Sequence, residues 1–309
     1  MISQTFSFTT NDKVEIFTYK WLPDDEKPLK GIIQIAHGMA EHAARYNHFA
    51  EFLTQNGFIV YANDHRGHGK TIKDENDMGY FASKNGWFKV VDDMFTLSLL
   101  ITEEYPSLPL FIFGHSMGSF LTRTYVCKHP KALQGIILSG TGGNPGIVRY
   151  VAKSIVFLYK NFKGKRARVK LLDKMSFGEF NKRIKNYKTP FDWLSTDERE
   201  VQKYINDPLC GKLFTVKFFD DLLTGLGFIF RKKNIRNISK ELPVLFISGN
   251  EDPVGDFGKG VTSSFKKYKK SGIKDVSMKL YPVMRHEIIN EIDKEKVFGD
   301  VLDWLNKHV

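Results

Sequence analysis

Apolar residues along the chain follow two alternating patterns. Gly31-Ile32-Ile33-Gln34-Ile35-Ala36, Phe58-Ile59-Val60-Tyr61-Ala62, Leu110-Phe111-Ile112-Phe113, Ile136-Ile137-Leu138 and Val244-Leu245-Phe246-Ile247 are short, almost unbroken apolar runs. Runs of this kind predict strands covered on both faces, as in a parallel sheet. Val14–Trp21 mixes apolar and polar positions and predicts a half-exposed antiparallel strand, while Met278–Pro282 reads as the last strand. Between these runs the spacing becomes helical. Trp87, Val90, Val91, Met94, Ser98 and Ile101 form one stripe, stopped by Pro106, and Val297, Phe298, Val301, Leu302 and Leu305 form another. Strands alternating with helices predict an α/β architecture: a mostly parallel, doubly wound sheet with helices on both faces.

Residues 145–237 break the alternation. They show helical patterns, no convincing strand and many aromatics, among them Phe157, Tyr159, Phe177, Phe191, Trp193 and Phe218. The segment reads as a helical cap inserted between two strands, which divides the core into residues 1–144 and 238–309. Packing of the cap onto the core accounts for most of these aromatics. Phe157, Tyr159 and Phe218 are also candidates for the wall of a substrate channel.

Composition narrows the class. With 309 residues, 42% of them hydrophobic and 26% charged, the chain has the material for a large core and lies outside the disordered range. Two cysteines, Cys127 and Cys210, cannot frame a secreted disulfide scaffold or, alone, a zinc or iron–sulfur centre. Met1–Phe6 lacks the basic and apolar regions of a signal peptide, and no run approaches the roughly 18 apolar residues of a membrane span. The expected setting is the reduced cytoplasm.

The net charge of +11 is unevenly placed. Arg149 to Lys188 holds 13 Lys/Arg and two acids, Asp173 and Glu179, leaving 33 basic and 33 acidic residues elsewhere. A solvated lysine-rich face is the plain reading. In the functional one, Ile147, Val148, Val151, Ile155 and Leu158, with Arg149, Lys153 and Lys160 interspersed, form a helix lying peripherally on an anionic membrane. No nucleic-acid-binding motif accompanies the charge, so no nucleic-acid partner is expected.

The chemistry is carried by Gly114-His115-Ser116-Met117-Gly118. G-x-S-x-G alone is weak, but here it follows a buried strand and opens a helical run, which is the context of a nucleophile elbow. A serine hydroxyl needs a neighbouring base to become a nucleophile. In this arrangement an acid and then a histidine follow, each in a loop after a later strand. Glu251 and Asp252 follow the Val244 strand, and His286 follows the last strand. Ser116, His286 and one of the two acids thus form an ordered triad. The backbone N–H groups of Met117 and of Met39, in the loop after Ala36, are the expected oxyanion donors.

His37-Gly38-Met39-Ala40-Glu41-His42-Ala43-Ala44-Arg45-Tyr46, Asp64-His65-Arg66-Gly67-His68-Gly69 and the serine motif together resemble the α/β-hydrolases grouped with monoacylglycerol lipases and bacterial lysophospholipases, which carry a serine aminopeptidase S33-like domain. Phe191-Asp192-Trp193-Leu194-Ser195 and Asp207-Pro208-Leu209-Cys210-Gly211 resemble the bacterial branch. The resemblance covers nearly the whole chain. It implies a catalytic set of Ser116, Asp252 and His286, with Asp252 favoured over Glu251, and an oxyanion hole at Met39 and Met117. It further implies a monoacyl lipid substrate and no cofactor. Lys70–Asp77, after Gly69, is longer and more charged than the family's usual continuation.

The His37/His42 and His65/His68 spacings lack a completed ligand set, so no metal is expected. Gly140-Thr141-Gly142-Gly143 lacks the dinucleotide-binding spacing and reads as a turn. The competing functions are an esterase, thioesterase or aminopeptidase for small soluble substrates, and a non-catalytic membrane-surface binder.

Overall fold

The structure is a computed structural model that describes residues 1–24 and 28–309. Its centre is an eight-stranded sheet with strand order β1-β2-β4-β3-β5-β6-β7-β8. The strands are β1 (Ile2–Thr9), β2 (Glu15–Leu22), β3 (Gly31–Ala36), β4 (Phe58–Asn63), β5 (Leu110–His115), β6 (Gly135–Ser139), β7 (Val244–Gly249) and β8 (Val276–Tyr281). β2 pairs antiparallel with β1 and β4, and every pairing from β4 to β8 is parallel. β3 to β7 are buried along their whole length, which is why their sequences read as continuous apolar runs. β1 carries little strand signal in its sequence because it is an edge strand on which only Phe8 is buried.

Helices cover both faces. α1 (Asn47–Gln55) contributes Phe49, Ala50 and Leu53 to one apolar layer. On the other face lie α2 (Gly86–Glu104), with Trp87, Val90 and Met94, and α3 (Met117–Lys128), with Leu121 and Tyr125. Between β6 and β7 the chain leaves the sheet through α4 (Val148–Lys163), α5 (Lys170–Phe177), α6 (Glu198–Asn206), α7 (Val216–Ile229) and α8 (Lys232–Arg236). It then returns to α9 (Lys259–Lys270), whose Val261 and Tyr268 join the α2/α3 layer, and α10 (Lys294–His308), which packs with α1.

α7 lies directly against α2. A Cβ on Gly225 would come 2.0 Å from Trp87 Cε2, so only glycine permits the approach. Much of the basic segment is also committed to intramolecular contacts. Arg168 donates to the carbonyls of Glu75, Met78 and Leu213, and Arg166 pairs with Asp77 at 2.9 Å and covers the Tyr80 ring. These arginines fasten the α4–α5 connection to the charged loop after Gly69.

Candidate active site

β5 delivers Ser116 to the C-terminal edge of the sheet. The chain reverses there, with Ser116 at φ 52°, ψ −118°, and α3 begins at the next residue. A non-glycine residue in that region stores on the order of 1–3 kcal/mol, held here by the packing around it. The Ser116 N–H donates to the Ser139 carbonyl at 2.9 Å, and the Ser119 hydroxyl donates to the Ser116 carbonyl at 2.6 Å. Gly118 lets α3 start hard against the end of β3, since a Cβ there would fall 1.9 Å from the Ala36 carbonyl oxygen.

Asp252 lies in the loop after β7 and is fully buried, whereas Glu251 points to solvent. The Asp252 carboxylate accepts from His286 Nδ1 at 2.9 Å, from the Val254 N–H at 2.8 Å and from the Ser248 hydroxyl at 3.1 Å. His286 follows β8 and is also buried. Its N–H donates to the Trp193 carbonyl at 3.3 Å, and its ring lies 5.1 Å from the Trp193 ring and 4.7 Å from that of His115. Burial alone would push the imidazole pKa down. The Asp252 carboxylate, with Glu287 and Glu41 beyond it, outweighs burial and holds the ring above the usual histidine range. His115 faces the opposite balance: burial and the neighbouring His286 lower it to about 4.

Met39 and Met117 flank the serine. Among the described residues, neither N–H is taken up by an acceptor. Ser116, His286, Met39 and Met117 all line one cavity of about 490 Å³. Its walls come from Phe177, Phe180, Tyr187, Phe191, Trp193 and Leu222, all in the segment between β6 and β7. The aromatics expected there lie elsewhere. Phe157 is exposed on α4, and Tyr159 packs against the core. Phe218 is wholly buried, with its ring 4.4 Å from Phe214 and 4.9 Å from Phe81. None of the three lines the cavity, because one faces solvent and the other two are taken up in packing. The one sequence signal for the true wall was Phe191–Ser195. Glu41, Arg45 and Glu287 form a charged group that no sequence spacing reveals, since Glu287 lies more than 200 residues from the other two.

His37, His65 and His68 form a buried group of their own. His37 Nδ1 donates to the Gly38 carbonyl and its Nε2 accepts the His65 N–H at 2.9 Å, which fixes a neutral tautomer. Burial lowers His37 to about 3 and drives His65 and His68 well below the ordinary value. Elsewhere, His42, Asp207 and Cys210 bring donor atoms within 4.8 Å of one another, with His42 Nε2 already bound to Asp207 at 2.8 Å.

Residues 27–293 match the family model Hydrolase_4, described as serine aminopeptidase, S33. The chain is 30% identical, over the full length of both proteins, to the monoacylglycerol lipase of Mycolicibacterium smegmatis. It is 25% identical to the mouse monoglyceride lipase, covering 95% of this chain and 88% of that one. A thermostable carboxyl esterase from Bacillus coagulans, solved with glycerol, superposes with a TM-score of 0.92 at 30% identity, covering 100% and 99% of the two chains. The chain therefore belongs to the Hydrolase_4 (serine aminopeptidase, S33) family, within its monoacylglycerol lipase-type α/β hydrolases.

Proposed function

We propose that this carboxylic-ester hydrolase cleaves monoacyl lipids through an acyl-enzyme, with Ser116 as nucleophile, His286 as general base and acid, and Asp252 as its orienting carboxylate. The observation that carries the reading is the His286 Nδ1–Asp252 contact of 2.9 Å, beside a cavity that Ser116 and His286 share. With Nδ1 held by Asp252, Nε2 is left to take the Ser116 proton as Oγ attacks the ester carbonyl. The Met39 and Met117 N–H groups receive the oxyanion. His286 then gives its proton to the departing alcohol, and water, deprotonated in turn by His286, hydrolyses the ester to Ser116. Residues 145–237 act as the cap over a core built from 1–144 and 238–309, and their aromatic wall takes the acyl chain. The names of the Mycolicibacterium and mouse relatives support a monoacylglycerol as the substrate.

The test is a matched panel of 1-monoacylglycerols and lysophosphatidyl lipids of several chain lengths, beside short p-nitrophenyl esters and aminoacyl amides. A preference for long monoacyl lipids of at least tenfold in kcat/KM is expected. Short soluble esters or amides ranking first would leave the nucleophile in place and make the lipid assignment wrong.

Peripheral contact with an anionic membrane belongs to the same reading. α4 turns Lys153 and Lys160 inward, onto Thr224 and Asp220 of α7 at 3.0 and 2.9 Å. It leaves Val151, Phe157, Leu158 and Phe162 outward, after an equally bare Ile147; Ile147 is 78% exposed and Phe162 84%. A helix that shows solvent this apolar side, holds Lys153 and Lys160 half-buried and leaves Lys163 exposed at its end suits an anionic lipid surface better than water. Co-sedimentation with vesicles of phosphatidylcholine and phosphatidylglycerol checks this. The Val151→Ser/Phe162→Ser double variant is expected to bind at least tenfold more weakly, because each apolar side chain inserted contributes on the order of 1 kcal/mol. Binding unchanged by the substitutions would make the patch an ordinary solvated face.

A further inference from the structure

At the wall of the cavity, where Glu41 and Glu287 line it, lies a charge cluster that the proposed chemistry does not use. Arg45 is 10% exposed and is clamped between two carboxylates exposed by only 5% and 6%. Its Nη1 donates to Glu41 Oε2 at 2.9 Å and to Glu287 Oε1 at 2.6 Å, while Nη2 donates to Glu287 Oε2 at 2.7 Å. Glu41 Oε1 accepts the Gly38 N–H at 2.6 Å and the Tyr46 hydroxyl at 2.9 Å. Glu287 Oε2 accepts from Asn290 Nδ2 at 2.8 Å, and the Glu287 N–H donates to the Leu194 carbonyl at 2.7 Å. From the cap, the Tyr204 ring covers the guanidinium at 5.0 Å.

Each carboxylate borders a different half of the reaction centre. Glu41 grips the peptide N–H of Gly38, whose neighbour is Met39. Glu287 is the residue after His286. A planar guanidinium that binds one carboxylate through both arms while holding the other fixes distance and orientation together, which an ammonium cannot do. We infer that Arg45 is a positioning residue that locks the oxyanion loop 37–41 to the histidine loop 284–291, so that the donors and the base keep their registration on Ser116. The inference rests on the proposed Ser116–His286 chemistry. Displacing either partner by about 1 Å costs on the order of a hundredfold in rate.

The cluster also sets the charge around the base. The groups facing His286 are Asp252, Glu287, Glu41, His115 and, through its two carboxylates, Arg45. Removing the Glu287 charge takes away a group that favours the imidazolium, so the acid limb of the kcat/KM profile moves to lower pH. Removing the Arg45 charge leaves two carboxylates uncompensated, so the limb moves to higher pH. A merely structural contact has no reason to move the limb in opposite directions.

The experiment measures kcat, KM and pH profiles on a soluble p-nitrophenyl ester for wild type, Arg45→Met, Arg45→Lys and Glu287→Gln, each checked by thermal unfolding. Arg45→Met is expected to lose about 30- to 100-fold in kcat, with KM changed less than threefold. Its acid limb should rise by roughly half a unit or more, and that of Glu287→Gln should fall by a similar amount. Arg45→Lys keeps the charge and loses the fork, so it should restore the limb but not kcat. A folded Arg45→Met with kcat within twofold of wild type, or limbs that move together, overturns the inference. Should Arg45→Met not fold, the near-isosteric Glu287→Gln still decides: an unmoved limb overturns it. Failure of the underlying reading looks different, since wild-type turnover would then be indifferent to Ser116→Ala.

Discussion

Ser116→Ala is expected to lower ester turnover by roughly 10³-fold or more while moving the unfolding free energy by less than about 1 kcal/mol. The first number follows from the loss of the nucleophile. What remains is catalysis by the proposed Met39 and Met117 donors and by binding. The second follows from the contacts. The backbone holds the elbow through the Ser116 N–H to the Ser139 carbonyl and the Ser119 hydroxyl to the Ser116 carbonyl, and alanine keeps both. Asp252→Asn extends the test. The amide can offer its NH₂ to His286 Nδ1, which then places the proton on Nε2 and leaves no base facing the serine, so roughly 10³- to 10⁴-fold should be lost. Steady-state rates on one soluble ester, with fluorophosphonate labelling of Ser116 as a second readout, check both variants. Turnover retained in Ser116→Ala would end the acyl-enzyme reading.

How much of this was legible in the chain depended on whether a residue's partners lie nearby in sequence or across the fold. β3 to β7 announce themselves because a strand buried on both faces must be apolar throughout. β1 pairs along all eight of its residues with β2, yet buries only Phe8, and so carries little signal. α9 was missed for a related reason. Lys266, Lys267, Lys269 and Lys270 crowd its sequence, and only three large apolar residues, Val261, Phe265 and Tyr268, mark the side that reaches the core. The ordered serine, acid and histidine could be read because each follows its own strand. The residues alone leave Glu251 and Asp252 open and resemblance favours Asp252; in the structure it is Asp252 whose carboxylate meets His286 Nδ1, while Glu251 faces solvent.

The cavity wall and the charge pattern were not legible, because both depend on how the cap folds back. Phe157 and Phe177 look alike in sequence, but one faces solvent and the other the cavity. Counting lysines and arginines from 149 to 188 gives the charge but not its commitments. Arg166 and Arg168 bind the loop after Gly69, and Lys153 and Lys160 face α7. Removing those from the count leaves the exposed side of α4 more apolar than its composition suggested, and that change turns the search for a lipid surface from the charges to the side chains of Val151, Leu158 and Phe162.

Gly118→Ala is expected to damage folding and catalysis together. The added methyl would meet the Ala36 carbonyl oxygen at 1.9 Å, its carbon at 2.5 Å and the His37 carbonyl oxygen at 2.7 Å. All three are backbone atoms at the end of a central strand, so no side-chain rotation relieves the contact. Either the start of α3 or the end of β3 must shift by about 1 Å, at a cost of at least about 3 kcal/mol. Both carry the proposed oxyanion donors: Met117 is the residue before Gly118, and Met39 lies three residues after Ala36. Any shift that makes room therefore separates the two N–H groups from the carbon they serve, and the folded fraction should retain less than about 1% of wild-type kcat. Denaturant unfolding and active-site titration, run on the same sample, separate the two losses. Gly299→Ala in α10 is the control, since its methyl would meet nothing within 4 Å and should stabilise the helix by up to about 1 kcal/mol. Wild-type activity per folded Gly118→Ala molecule would mean that the α3–β3 contact fixes the fold but not the oxyanion site, and the donors would then have to be sought elsewhere around Ser116.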